Sequence, residues 1–213
     1  MKVQEKYKSL FEDGKYKDAI DHLKEHEKNF DPSIFHYNLG VNYALVNELP
    51  LSRYHLEKAE ALGFKSIKTM ESLEKVKEEL GVVGVETKSS FSEQVTSFAL
   101  DSSIATGANI SLLLLLIFLI KFKSIKNYWL RGVIAIFCTF PFVGQFYIKN
   151  NYTQAIAIEK LDVLRGPSAI FEQTQEIVPG MSFILSKKIE GWIYIYSPQS
   201  HRGWVKNKGY RKL

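Results

Sequence analysis

His22 and His26 stand one helical turn apart, a spacing that allows two imidazoles to share a metal ion. No third ligand accompanies them, and the Glu and Lys residues around them mark a solvated helix face. The pair is therefore read as structural, and no metal is expected. Cys138 is the only cysteine, which excludes an intrachain disulfide. It lies in an uncharged run with no histidine beside it, so it is read as a small apolar residue and not as a nucleophile. The sequence carries no glycine-rich phosphate loop, metal cluster or nucleophile elbow, and its carboxylates gather on charged helical faces. The expectation is a protein that is not an enzyme and has no cofactor.

The elements that position everything else begin with two apolar runs. Ser102–Ile120 has no charge, and from Leu112 to Ile120 it is unbroken aliphatic and aromatic residues. Gly132–Ile148 is a second uncharged run, and Lys121, Lys123, Lys126 and Arg131 lie between the two. Runs of roughly 17–19 residues are near the minimum that crosses a hydrocarbon core about 30 Å thick as a helix. Lipid offers backbone groups no partner, so a spanning segment must be helical. Tyr128, Trp129 and Tyr147 lie near the ends of the second run, where amphipathic rings favour the headgroup level. Pro141 removes one helix hydrogen bond and predicts a kink near Phe137–Pro141. Residues 102–120 and 132–148 are thus read as transmembrane helices joined by a basic loop, 121–131. A buried hairpin of a soluble protein is the alternative.

Loops rich in Lys and Arg stay on the cytoplasmic side, which places both flanking domains outside, in the periplasm or its equivalent. The acidic residues Glu86, Glu93 and Asp101 before the first run agree with this. Met1–Gly14 does not: it is charged and lacks the apolar stretch of an export signal. The net charge of +5 gathers in the loop and the C-terminal segment. Membrane topology explains it better than nucleic acid does.

Residues 1–80 are helical by period. Phe35–Val46 carries apolar residues at helical spacing around Gly40. A mid-helix glycine costs about 1 kcal/mol against alanine and so calls for a packing reason. Ser52–Ala61 forms a further helix, Gly14–Ile20 turns one helix into another, and Asp31 or Ser33 can cap the helix that follows. Lys65–Leu80 reads as a closing helix with Ile67, Met70, Leu73, Val76 and Leu80 inside. Residues 81–101 read as a linker: Gly81–Val85 breaks the helix, Thr87–Ser92 is polar, and Glu93–Ala99 is a short helix running toward the membrane.

Beyond residue 152 the period changes to that of strands. Ala155–Ile158, Phe183–Ser186, Trp192–Tyr196 and Gly203–Val205 are short β-rich runs. Gly166–Ser168, Pro179-Gly180, Glu190-Gly191 and Ser200–Gly203 supply the turns between them. Several short strands within residues 152–213 predict a small barrel, which leaves no exposed sheet edge.

Two known patterns resemble these residues. Leu10, Gly14, Tyr16, Ala19, Leu23 and Pro32, then Leu39, Gly40, Tyr43, Ser52, Leu56 and Ala59, resemble tetratricopeptide repeats, helix–turn–helix units of about 34 residues. Tyr7 and His26 depart from that pattern. Asp162–Ser168, Val178–Gly180, Gly191–Ile195 and Gly203–Val205 resemble the ordered motifs of a bacterial SH3 domain. By these resemblances, Lys8, Phe11, Tyr37, Asn38 and Val41 would line a concave protein-binding face. For Phe11, Tyr37 and Val41 a plain core role is the alternative. Aromatics such as Trp192, Tyr194, Tyr196 and Trp204 would form the ligand face of the SH3-like domain, with a barrel-core role the alternative for both Trp residues and the preferred one for Trp192.

The fold class so implied is a multidomain membrane protein. It has an all-α tetratricopeptide-repeat domain, a two-helix transmembrane hairpin and a small all-β SH3-like barrel. That order is similar to the BatE family of the Bacteroides aerotolerance operon. The resemblance implies a non-enzymatic inner-membrane scaffold or adaptor in an envelope-stress or aerotolerance complex. Its partners would be von Willebrand factor A-type Bat proteins and, indirectly, a MoxR-type ATPase. A peptidoglycan-binding cell-wall sensor is the alternative function.

Overall fold

The computed structural model describes residues 2–86 and 90–213. Its helices are α1 (Val3–Glu12), α2 (Tyr16–Glu25), α3 (Pro32–Leu45), α4 (Leu49–Ala61), α5 (Ile67–Glu79), α6 (Phe91–Asp101), α7 (Ile104–Lys121) and α8 (Tyr128–Asn151). Its strands are β1 (Thr153–Ala157), β2 (Leu161–Leu164), β3 (Gln173–Ile177), β4 (Ser182–Ile189), β5 (Trp192–Ser197), β6 (Gly203–Lys206) and β7 (Tyr210–Lys212). Residues 87–89 of the expected polar linker lie outside the described residues. The chain divides into two compact units: Met1–Lys88 with Gln154–Leu213, and Ser89–Thr153.

In the first unit, local chemistry sets the helix ends. Asp31, and not Ser33, caps α3: its carboxylate accepts from the amides of Ser33 at 2.9 Å and Ile34 at 3.3 Å. Pro32 occupies the first turn, where a missing N–H costs nothing. The packing reason for Gly40 is α4, because a Cβ on Gly40 would lie 2.7 Å from Leu56 Cγ. Ser52 Oγ donates to Gly40 O at 2.7 Å in the same crossing. Ile20, Leu23, Phe35, Leu39 and Tyr43 form one apolar cluster, and Leu56, Leu73 and Val76 form another. Tyr37 and Val41 pack against the second. Two of the residues expected on an open binding face thus pack, half-buried, against a cluster drawn from both α4 and α5. The expected tetratricopeptide-repeat domain is corrected to a helical bundle, α1–α5.

The strands form one sheet of 7 in the order β3-β2-β6-β5-β4-β1-β7. Along β5, Ile193, Ile195 and Ser197 are buried, while Trp192, Tyr194 and Tyr196 face the other way, half-buried. The sheet ends at β3 and β7, so it is open, and the expected SH3-like barrel does not form. Both edges carry residues that discourage further pairing. Gln173, Thr174, Gln175 and Glu176 are exposed on β3, as are Arg211 and Lys212 on β7. An open sheet needs a second layer to cover its apolar face. Here Val82, just after α5, is fully buried in the sheet core with Val163, Ile177, Met181 and Ile195, and Leu80 packs on it.

In the second unit, the segments Ile104–Ser124 and Tyr128–Asn151, 21 and 24 residues long, are long and apolar enough to cross a membrane. α7 and α8, of 18 and 24 residues, rise about 27 and 36 Å. α8 begins earlier and ends later than the expected 132–148, and it runs without a break through Pro141. α6 packs on α8, so the isolated two-helix hairpin is corrected to a three-helix unit. Crossing a membrane is a capacity read from the length and composition of α7 and α8, and a transmembrane hairpin is not itself an observed element of the fold.

Substituting Gly40→Val should destabilise the bundle by about 1–3 kcal/mol, the usual cost of overpacking. Thermal unfolding in detergent, followed by circular dichroism, reads this as a lower midpoint. An unchanged midpoint would mean that α3 and α4 are free to separate.

Candidate functional site

Helical bundle and sheet meet at Arg53 of α4, whose side chain is only 2% exposed. Its Nη1 and Nη2 donate to Glu86 Oε1 at 2.5 Å and Oε2 at 2.8 Å. Nε donates to Glu57 Oε1 at 2.8 Å, and Nη1 also donates to Gly180 O at 2.8 Å. Glu86 accepts in turn from the amide of Ser182 at 2.5 Å. This is the two-on-two match of guanidinium and carboxylate that a lysine could not reproduce. Burial works against the charge on Arg53, but Glu86 and Glu57 outweigh it and hold the guanidinium above its ordinary pKa. Gly180 presents its carbonyl from a left-handed backbone, φ +84°, with Leu80 where a Cβ would stand. Glycine alone satisfies both conditions.

A second polar cluster joins α3 to α4. His36 and His55 face each other Nδ1 to Nδ1 at 2.8 Å, so one ring donates and the other accepts. His55 stacks on Tyr43 with centroids 5.3 Å apart and on His36 at 5.1 Å. Burial, then His36, Arg211 and Lys24, depress His55 to about 3. Burial lowers His36 as well. The sequence offers no periodic signal for this pair. His22 and His26, which it does single out, are spent on backbone: His22 Nε2 meets Val3 O at 3.0 Å, and His26 Nδ1 meets His22 O at 3.1 Å.

The residues expected to bind partners are spread over several elements. Lys8 and Phe11 lie on α1, where Lys8 is exposed and pairs with Glu12 at 3.7 Å, and Phe11 packs edge-on to Tyr16 at 5.6 Å. Tyr37, Asn38 and Val41 lie on α3, with the Tyr37 ring 4.9 Å from Phe64. α1 and α3 are joined by Asn42 Nδ2 donating to Tyr7 Oη at 3.1 Å, through two residues outside the expected set. On the sheet, Tyr194 and Trp204 are cross-strand partners with rings 5.4 Å apart. The Arg202 guanidinium lies 4.9 Å from the Tyr196 ring. Trp192, expected in the core, shares their face, because its place in the alternation points it away from Ile193 and Ile195.

The second unit has its own buried polar centre. Gln145 of α8 accepts from the Gly107 amide at 2.9 Å through Oε1. Its Nε2 donates to Ser102 Oγ and Ser103 O, both at 2.9 Å, and to Ala99 O at 3.3 Å. One amide thus holds the end of α6 and the start of α7. A Cβ on Gly107 would collide with Gln145 and with Pro141 O, so glycine permits this approach. Further along, the Phe142 amide, beside Pro141, donates to Ser111 Oγ at 3.1 Å.

Each of these clusters is a set of mutually bonded groups. Among the described residues, no group of three or more His, Cys, Asp and Glu could hold a metal ion.

No family model matches the chain, and neither does any curated protein or solved structure. The resemblance to the BatE family is corrected accordingly. The repeat domain and barrel it required are a helical bundle and an open sheet, and the implied scaffold, adaptor and cell-wall sensor roles fall with them.

Arg53→Met should cost about 3–5 kcal/mol by stranding Glu86, and Arg53→Met with Glu86→Leu should recover part of that loss. Chemical denaturation of both variants measures it, and a double variant no more stable than Arg53→Met would show that Glu86 is not left stranded when Arg53 is removed. A second expectation concerns pH. The His55 value in the folded chain lies below the 6.5 of a free imidazole, so the unfolded chain takes up the proton first. Stability should be level above about pH 7 and decline below about 6.5, by up to about 1.4 kcal/mol per pH unit. His55→Phe should flatten the profile between pH 6.5 and 5; a slope identical to that of the parent chain would assign the effect to other groups.

Proposed function

We propose that this chain is a two-span membrane protein, not an enzyme, that holds one compact body built from both of its ends on one side of a membrane. The observation that carries the reading is that Met1–Lys88 and Gln154–Leu213 belong to one compact unit, tied together by Arg53, Glu86 and Ser182. A bilayer cannot divide such a body. The chain between its halves must therefore cross an even number of times, and α7 and α8 meet that requirement.

Their surfaces suit lipid. Leu112, Leu113, Leu116, Ile117, Leu119 and Ile120 of α7 and Ile136, Phe137, Phe140 and Val143 of α8 are exposed. Soluble monomers rarely leave so large a contiguous apolar surface in water. Lys121, Lys123, Lys126 and Arg131 in and beside the connection support a cytoplasmic bend and an external, periplasm-facing compact unit in a bacterial inner membrane. Arg131 also shapes that bend, donating from Nε to Ile125 O at 2.8 Å with its guanidinium 4.3 Å from the Phe122 ring. The absence of catalysis in this reading rests on the polar clusters, whose groups are engaged with one another. The basic residues have a use in topology, so nucleic acid is not among the partners.

Single cysteines at Lys17, Lys123 and Lys208 in a Cys138→Ala chain test the topology in intact cells. A membrane-impermeant maleimide should label positions 17 and 208 and reach 123 only after permeabilisation. Labelling of one end without the other, or of 123 alone, would overturn the reading.

A further inference from the structure

α6 is amphipathic with its polarity reversed. Phe91, Val95 and Phe98, spaced to share one face, are 80%, 41% and 62% exposed. Glu93, Thr96, Ser97 and Ala99 on the other side are buried. A helix on a water-facing protein surface turns its apolar stripe to the core and its hydroxyls outward. α6 does the opposite, and it does so in the unit that holds the two apolar helices.

The way α6 is tied to α8 says where it lies. Gln145 Nε2 donates to Ala99 O at 3.3 Å, and Lys149 Nζ donates to Leu100 O at 2.9 Å. These two side chains stand near the C-terminal end of α8, at Asn151, roughly 9 and 3 Å short of it along the axis. The last turn of α6 is therefore level with the end of the apolar segment, where α7 begins at Ile104, also exposed. The start is set by a capping box between Ser90 and Glu93.

From this arrangement we infer that α6 is an interfacial helix, lying with Phe91, Val95 and Phe98 in the boundary between headgroups and acyl chains of the bilayer that α7 and α8 cross. The inference rests on the two-span reading and adds a third membrane-contacting element to it. α6 contains no Lys or Arg. Its insertion is driven by apolar contact and owes nothing to anionic lipid, unlike the basic amphipathic helices that bind charged surfaces. The buried hydroxyls of Thr96 and Ser97 bond along α6 itself, Thr96 Oγ1 donating to Ser92 O at 2.8 Å and Ser97 Oγ to Asp101 at 3.1 Å.

The test uses the full chain with Cys138→Ala, reconstituted in phosphatidylcholine vesicles, carrying one nitroxide at residue 91, 95, 98, 92 or 114. Collision with oxygen reports lipid, and collision with a nickel chelate reports water. Positions 91, 95 and 98 should show an oxygen-to-nickel ratio several-fold above that at 92, unchanged by adding phosphatidylglycerol. Position 114, in mid-α7, reads the two-span reading separately. Lipid at 114 with nickel access at 91, 95 and 98 would overturn the interfacial helix alone, and water at 114 would overturn both readings. Shielding of 91, 95 and 98 from both reagents would mean that protein covers the stripe, which also refutes a lipid-facing α6.

Discussion

A guanidinium withdrawn from water dictates where the two ends of this chain must go. Burying an unpaired charge costs several kcal/mol or more, and the cost is offset only when carboxylates and carbonyls surround it in good geometry. Arg53 finds those groups in Glu57 one turn along its own helix, in Glu86 beyond α5, and in Gly180, 127 residues away. Satisfying one side chain therefore requires the helical bundle, the turn after it and the loop before β4 to assemble together. Val82 and Leu80 then serve as the second layer of the sheet, and the pairing of edges that would close a barrel is unnecessary.

The same rule governs the buried polar groups of the apolar unit. Where no water competes, a polar group must find its partners within the protein. Gln145 spends its amide on the junction of α6 and α7, and Ser111 takes up a backbone donor of α8 next to Pro141. Gly107 keeps the backbones close enough for these bonds to form. A few polar contacts thus orient helices whose remaining surface is uniformly greasy and carries little directional information.

Much of the local structure was legible. The apolar period marked α3, α4 and α5, the uncharged runs marked α7 and most of α8, and alternation located β1, β4, β5 and β6. Gly40 announced a close approach, and Leu56 supplies it. What failed were inferences from pattern to assembly. Leu39, Gly40, Leu56 and Ala59 do sit at a tight helix crossing, but a pairwise crossing does not say how the next helix joins it, and α5 packs mainly on α4. β3, with its Gln and Glu, shows no strand pattern, because an edge strand needs polar residues to stay unpaired. Tyr37 and Val41 on α3 and Tyr194, Tyr196 and Trp204 on the sheet were visible as aromatic or apolar positions. Whether each is core or surface depended on what packs against it.

The sequence by itself determined most of the secondary elements, the two span-length apolar helices and the charge of the bend between them. These follow from short-range spacing, since side chains three or four residues apart on a helix, or two on a strand, share a face. Only the tertiary structure decided that Met1–Lys88 and Gln154–Leu213 are one compact unit, that the sheet stays open, and that Arg53, Glu86, His55 and Gln145 matter. The reason is that a buried polar group is stabilised by partners far away in the chain, and no local periodicity records a bond between residues 53 and 180.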